Sequence, residues 1–317
     1  MGKKKDFAAI EAKKWSQLIE RVAAIFAISE EEARQLLSQT EKKSLRINTL
    51  VANEPEIVAQ IKEKGIGLQP IHWMESAYHS PFLSNLDEEL AQGKVYIQNA
   101  SSFLPVLALN PQKGEKILDI CSSPGGKLSH IAAVVNNEAE LWANDLSVAR
   151  ISKLQRVLSL LKVKTERVTA FPAQRIDQFV NELFDKILLD APCSGEGMMT
   201  LNDSETIKVW GTKRIKRLAF QQKKMITAAF RLLRKGGTLV YSTCTFGPEE
   251  NEEVIAHLLE QFSDAEIQPF PIDMIPEVVP GLTSWRKKKF PQELALTKRV
   301  KPTSNMEGFY VAIIRRK

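Results

Sequence analysis

Three cysteines in 317 residues, at positions 121, 193 and 244, are too few and too scattered for a disulfide framework or a zinc site. Each is therefore either a packed thiol or a chemical group. Long apolar runs are missing too: none approaches the roughly 20 residues of a membrane-spanning helix. The opening Met1-Gly2-Lys3-Lys4-Lys5-Asp6 lacks the apolar stretch of a secretory signal, so a cytoplasmic protein is expected. Internal repeats and low-complexity linkers are absent, which argues against a solenoid or a disordered spacer. Acidic residues are absent from one long interval. None lies between Glu205 and Glu249, where Lys208, Lys213, Arg214, Lys216, Arg217, Lys223, Lys224, Arg231, Arg234 and Lys235 all fall. A solvated helix face normally interleaves acids with bases, because opposite charges at i,i+4 stabilise it. A single-sign stretch points instead to phosphate contact, and Arg286 to Lys289 add a second, weaker cluster. With a formal charge of +6, the chain suits a polyanionic partner.

What is present suffices for a large core, since 44% of the residues are apolar and the length suggests about two domains. Residues 6 to about 43 read as helical: Phe7, Ile10, Trp15, Leu18, Val22 and Ile25 share a stripe, and Ser29-Glu30-Glu31-Glu32 resembles a capped helix start. Residues 1–43 are thus expected to form an N-terminal helical segment. Ser44 to Leu50 is β-like, Pro55 to Lys64 helical, and Leu68 to Tyr96 mixed, so residues 44–110 read as a small α+β module. Over 111–317 the pattern becomes regular. Strand-like runs at Lys116–Ile120, Glu140–Asp145, Phe184–Asp190 and Thr238–Thr243 alternate with helical patterns at Leu128–Val135, Ser147–Leu161, Arg217–Leu233 and Glu250–Phe262. Such alternation signals an α/β fold with a doubly wound parallel sheet.

Ligands of open α/β sheets gather at the carboxyl ends of the strands. The first such end here is Asp119, followed by Cys121-Ser122-Ser123-Pro124-Gly125-Gly126-Lys127. Its glycines let backbone N–H groups approach a bound group closely, yet the spacing is neither that of a dinucleotide fingerprint nor that of a phosphate loop. The second is Asp145, placed to accept hydrogen bonds from ribose hydroxyls. Together these imply a nucleoside cofactor without pyrophosphate, which S-adenosylmethionine satisfies. The remaining two ends carry Asp190-Ala191-Pro192-Cys193 and Ser242-Thr243-Cys244, so two thiols converge over one cleft. The side chain of Cys121 reads as a small group tolerated in a tight turn.

Two thiols beside a methyl donor suit methylation of cytosine at carbon 5. That carbon is too poor a nucleophile to attack a sulfonium methyl until a thiolate adds to carbon 6 and makes an enamine. An acid near ring nitrogen N3 supports the addition, a role for which Asp190 is placed, with Lys127 supplying positive charge nearby.

These segments are similar to the Nol/Nop/Sun family of RNA cytosine-5 methyltransferases, and most of all to its bacterial RsmF-type rRNA enzymes. The resemblance rests on residues 119–127, on Asp190-Ala191-Pro192-Cys193-Ser194-Gly195-Glu196-Gly197, and on Tyr241-Ser242-Thr243-Cys244-Thr245 with Glu249-Glu250-Asn251-Glu252. Leu45 to Leu50, Tyr96 to Ser102 and Glu307 to Ala312 extend it. It implies a Rossmann-like S-adenosylmethionine-dependent sheet, a small RNA-binding module containing Asn48 to Leu50, and an RNA substrate, rRNA or else tRNA, bound by a monomer. It also implies that Cys244 is the nucleophile and Cys193 assists release of product, the reverse of DNA cytosine methyltransferases, where the Pro-Cys cysteine attacks. Residues 121–127, Asp145 and Asp190 would hold the cofactor. In two respects the chain departs from the family. Pro172 stands where an acid usually contacts the adenine, so that recognition is expected from backbone or Asp177. RsmF-type proteins continue into a further C-terminal RNA-binding region, so residues 1–43 and 208–235 are expected to carry more of the RNA contact. A non-catalytic RNA-binding assembly factor on this fold, and a DNA enzyme using Cys193, remain the alternatives.

Overall fold

Strand runs apolar on both faces need cover on both sides, and that requirement shapes the larger part of the protein. The computed structural model describes residues 2–39, 43–80, 83, 85–271 and 275–317, with the backbone alone over 2–8. The side chain of Phe7 therefore lies outside the described residues. The elements are α1 (Gly2–Phe26), α2 (Glu30–Leu37), β1 (Lys43–Ile47), α3 (Glu54–Glu63), β2 (Gln69–Pro70), β3 (Ala77–Ser80), α4 (Asp87–Ala91) and β4 (Val95–Ile97). They continue with α5 (Leu104–Leu109), β5 (Lys116–Asp119), α6 (Gly126–Val134), β6 (Glu140–Asn144), α7 (Val148–Leu160), β7 (Arg167–Thr169), β8 (Phe184–Asp190), α8 (Thr212–Arg231), β9 (Leu233–Thr243) and α9 (Glu252–Gln261). The last are β10 (Ala265–Gln268), β11 (Val278–Pro280), the short hairpin β12 (Ser284–Trp285) and β13 (Lys288–Lys289), β14 (Lys298–Val300) and β15 (Phe309–Arg316).

Ser29 caps α2 as its sequence suggests: the Ser29 hydroxyl accepts from the Glu32 N–H and the Glu32 carboxylate accepts from the Ser29 N–H. The apolar stripe of α1 runs from Trp15 through Leu18, Val22 and Phe26 and shares one hydrophobic cluster with the sheet residues Tyr241 and Leu189. Ile10, expected on that stripe, is exposed instead. The small module is a four-stranded antiparallel sheet of order β2-β3-β1-β4 with its own core of Leu45, Ile47, Ile57, Ile61 and Val95. Two of its buried side chains cross to the larger sheet's helices. Asn48 donates from Nδ2 to the carbonyls of Gly93 (2.9 Å) and Leu161 (3.0 Å), and Arg46 donates to Ser129 Oγ on α6 (3.0 Å).

The larger sheet has the order β11-β14-β15-β9-β8-β5-β6-β7, with β10 also paired to β15. Strands β7, β6, β5, β8 and β9 are parallel, as the alternation predicts. The sheet as a whole is mixed rather than parallel, because β15 runs antiparallel to β9, β14 and β10. The alternation read from the sequence assigns no strand after Thr243, and hydrophobic pattern carries no information on a strand's direction. A second difference lies in β9, which begins at Leu233 rather than Thr238. Leu233 pairs with Phe184 and Thr238 with Lys186, so Arg234–Gly237 bulge out of the ladder, with Gly236 at φ +78°. The chain winds from β5 to one side and from β8 to the other, and the resulting switch point opens a crevice at the carboxyl ends of these two strands. Among the described residues no helix is long and apolar enough to cross a membrane.

Candidate active site

Hydrogen bonds carry the sheet register past the strand ends and hold the four end-loops side by side. The Ile120 N–H donates to the Leu188 carbonyl (3.0 Å), that of Ser122 to Asn144 (2.9 Å), and that of Ala191 to Ser242 (2.9 Å). The cleft above them is lined by Tyr96, Gln98, Asp119, residues 121–124, Gly126, Lys127 and Asp190. Gly126 is required at its rim, since a Cβ there would meet the Tyr96 ring at 2.8 Å and the Gln98 amide oxygen at 2.9 Å.

Asp119 is only 1% exposed, and its Oδ1 has no hydrogen-bond partner among the described residues. Burial and the neighbouring Asp190 push its carboxyl up to about 7, against the pull of Lys127 and the Cys121 N–H. An orphaned buried acceptor at the bottom of an open cleft suits a ligand that donates to it. Asp145 accepts from the Ser123 N–H (3.2 Å) and from Arg150 Nε (2.9 Å). Arg150 is half exposed, so ribose hydroxyls can replace it at little cost.

The two thiols meet. Cys193 Sγ and Cys244 Sγ lie 3.1 Å apart, on loops leaving β8 and β9, and both cysteines are free. The hydrogen bond to Cys244, followed by burial, pushes the Cys193 thiol well above its usual range, so Cys193 holds its proton. Asp190 is fixed from both sides: Lys127 Nζ donates to Oδ2 (2.7 Å) and Ser242 Oγ to Oδ1 (2.8 Å). Burial opposes the charge on Lys127, but Asp190 and Cys244 outweigh it and raise the lysine, keeping an ammonium beside the Cys244 sulfur. Cys121 lines the cleft as a neutral thiol, pushed far up by burial and by Asp119.

Below the sulfurs the two cysteine loops clasp one another. The Ser194 and Thr245 hydroxyls bond at 2.9 Å, and Thr245 Oγ1 donates to Glu196 (3.0 Å). Ser194 N–H and Gln222 Nε2 both donate to Glu250 Oε2, and the Gly197 N–H donates to the Cys244 carbonyl. From α1, Arg21 reaches in to pair with Glu196 (2.9 Å) and Glu249. Arg299 on β14 pairs with Glu252 and donates to the Phe246 carbonyl, fixing the far end of the Cys244 loop. Arg21, Gln222 and Arg299 do not stand out in the sequence as site residues, and Glu196 and Ser242 appear there only within the motifs, with no role of their own. Glu249 to Glu252 carry a family resemblance but no visible role.

Burial pushes the Glu250 carboxyl up to about 7, although Ser194 and Gln222 favour its ionised form. In an unfolded chain it ionises near 4.3. Between these pH values the folded protein holds the extra proton, so this group's contribution to stability is present at low pH and is lost as pH rises through about 4 to 7. Glu250→Gln keeps both hydrogen bonds without the charge. Its stability relative to wild type should therefore improve from pH 5 to pH 8, by at most about 3 kcal/mol. Denaturant melts at the two pH values read this difference, and a pH-independent difference would contradict the assignment.

Asp177 is not brought to the cleft: its carboxylate is bonded to Arg231 at the end of α8 (2.9 Å). The backbone alternative keeps its geometry. The Asn144 amide clamps the N–H and carbonyl of Phe171 (2.8 and 3.0 Å), fixing the segment that leads into Pro172.

A protein-family profile described as 16S rRNA methyltransferase RsmB/F matches residues 106–315. Ribosomal RNA small subunit methyltransferase F of Escherichia coli is 36% identical over 87% of this chain and 57% of its own length. The same-named protein of Vibrio parahaemolyticus is 37% identical over 71% of this chain and 48% of its own. The chain thus spans about half the length of these curated relatives. Among solved structures, a methyltransferase homolog protein from Pyrococcus horikoshii superposes with a TM-score of 0.78 at 29% identity, covering 95% of this chain and 99% of that one.

Proposed function

Because the chain belongs to the RsmB/F family of 16S rRNA methyltransferases, we propose that it methylates carbon 5 of a cytosine in small-subunit rRNA, with Cys244 as nucleophile. One observation carries this reading: two thiols 3.1 Å apart at the ends of β8 and β9, beside an ion-paired Lys127 and Asp190. S-adenosylmethionine, held by residues 121–127, Asp145 and Asp190, supplies the methyl group. The cleft suits it, with a close-approaching glycine turn and an orphaned Asp119 oxygen, and Asp145 bonds the N–H of Ser123 in that turn. Residues 111–317 are assigned as the catalytic domain, 44–110 as the RNA-binding module and 1–43 as an N-terminal segment whose Arg21, on α1, supports the cysteine loops.

The steps fall to named side chains. Cys244, beside the Lys127 ammonium, adds through sulfur to carbon 6 of the cytosine. Electron density moves toward N3, where Asp190 passes on the proton given up by the Cys244 thiol, and Lys127 and Ser242 hold the carboxylate before and after that transfer. The enamine so formed has a nucleophilic carbon 5. After methylation the carbon-5 proton leaves to water, the carbon 6–sulfur bond breaks as the ring is restored, and the N3 proton returns through Asp190 to the Cys244 sulfur. Cys193, still a thiol, donates its hydrogen bond to the departing Cys244 sulfur.

Asp190→Asn keeps the shape but not the proton, and kcat should fall roughly 10²- to 10⁴-fold. Cofactor affinity, read by calorimetry, should change far less, and an equal loss in both would contradict the assigned role. The substrate is tested by bisulfite mapping of 16S rRNA from cells with and without the gene. Loss of a discrete 5-methylcytidine is expected; an unchanged 16S pattern would overturn the rRNA reading.

A further inference from the structure

The acid-free helix and the second basic cluster meet. Lys216, Phe220 and Lys223 of α8 face Trp285, Arg286 and Lys287 of the β12–β13 hairpin across an open groove of ≈ 560 Å³. We propose that this groove binds an unpaired stretch of the RNA substrate, with Phe220 as a stacking platform and Lys216, Arg286 and Lys287 as phosphate contacts. The inference rests on the reading of the protein as an RNA methyltransferase.

The acids in the groove are already taken. Glu249 accepts from Arg21 and Trp285, and Glu253 pairs with Lys288 (2.6 Å) and more loosely with Lys223 (3.9 Å). Lys216, Arg286 and Lys287 are exposed and have no acidic partner among the described residues. Helix α8 also spends stability on its charge. Its first turn holds no acid, Gly211 gives it no side-chain cap, and Lys213, Arg214, Lys216 and Arg217 crowd its positive end. Both the macrodipole and the like-charge spacing oppose that arrangement, so folding does not explain it.

The aromatic ring selects the kind of polyanion. Phe220 is 61% exposed in the middle of the basic stripe, with Lys224 Nζ 4.5 Å from its ring centroid. Lysines at i−4, i+3 and i+4 around an exposed ring match a strand whose phosphates alternate with flat bases. An acidic peptide has no use for the ring, and a duplex hides its base faces. The groove also borders the catalytic loops. Gln222 of the same helix donates to the Pro192 carbonyl next to Cys193 (2.9 Å), and Glu249 lies on the loop that carries Cys244.

Fluorescence anisotropy with a short labelled single-stranded RNA tests the proposal on the full chain. Phe220→Ala should weaken binding roughly 5- to 150-fold, the range for loss of one base stack. A triple Lys216→Gln, Arg286→Gln, Lys287→Gln variant should lower the slope of log K against log salt by about 2, at roughly 0.7 per phosphate contact. Both variants should keep the wild-type melting temperature and cofactor affinity. If wild type binds and methylates RNA while both variants bind with unchanged affinity and slope, the groove proposal fails and the enzymatic reading stands. If wild type neither binds nor methylates, the enzymatic reading fails and takes the groove with it. Loss of binding to assembled small subunits but not to naked RNA would make the occupant a protein and overturn RNA. An equal Phe220→Ala loss on a duplex probe would overturn stacking.

Discussion

Cys244→Ser is expected to abolish methyl transfer, whereas Cys193→Ser is expected to leave the protein covalently joined to its RNA. The sulfurs are neighbours at 3.1 Å, yet their surroundings differ. Against burial, Asp190 and Cys244 raise Lys127, which keeps an ammonium by the Cys244 sulfur. Its hydrogen bond to Cys244, followed by burial, pushes Cys193 up, so it stays a thiol. The group proposed to attack carbon 6 and the one proposed to help the adduct come apart thus sit in different surroundings. Loss of the nucleophile should cost on the order of 10⁴-fold or more in turnover, since no other group forms the bond. Loss of Cys193 should spare the addition and slow the release, so a denaturation-resistant protein–RNA species accumulates with ordinary RNA and disappears in the double variant. Gel electrophoresis of wild type and the three variants after incubation with RNA and S-adenosylmethionine reads this directly. The opposite pattern, with trapping in Cys244→Ser, would make Cys193 the nucleophile.

The second large effect lies outside the cleft. Arg21→Ala should destabilise the protein by about 3–5 kcal/mol, the usual cost of stripping one partner from a buried ion pair. Arg21 is 7% exposed, its charge answers both Glu196 and Glu249, and Glu196 is fully buried, with further bonds from Trp210 and Thr245. Without the guanidinium, Glu196 is left fully buried and without its ion-pair partner, beneath the Cys193 loop. Arg21→Lys can restore one contact of the three and should recover part of the loss. The effect should reach kcat as well, because Glu196 orients Thr245, which bonds Ser194 beside Cys193. Denaturant titration gives the stability change, and single-turnover kinetics under stabilising conditions the residual catalytic loss. A change under about 1 kcal/mol would mean that α1 is not a working part of the site.

The catalytic half was readable because its strands are apolar on both faces and each ends in a residue with chemistry: Asp119, Asp145, Asp190 and Cys244. Position at a strand end is a local property, so sequence spacing places these groups together. Convergence of Cys193 and Cys244 follows from the adjacency of β8 and β9. The choice between the two does not, since both thiols sit at strand ends and only the family resemblance separates their roles. Arg21, 175 residues from Glu196, was unreadable for a different reason. On α1 it is one cation among several, and only the packing of Trp15, Leu18 and Val22 against the sheet delivers it to the cysteine loops. The antiparallel course of β15 and the bulge at Arg234–Gly237 escaped because hydrophobic pattern encodes burial, not direction or register. Asp177 was, beside backbone, one of two substitutes expected for the acid missing at Pro172. It turns away because Arg231, one helix over, offers it a charge.

The central claim is that Cys244 bonds to a cytosine of RNA. Incubation with S-adenosylmethionine and RNA carrying 5-fluorocytidine tests it, because fluorine cannot leave as a proton and the adduct cannot resolve. A stable complex should form with wild type and with Cys193→Ser, and digestion followed by mass spectrometry should place the nucleotide on Cys244. A bound, competent RNA that yields no adduct, or one mapped to Cys193, would contradict it.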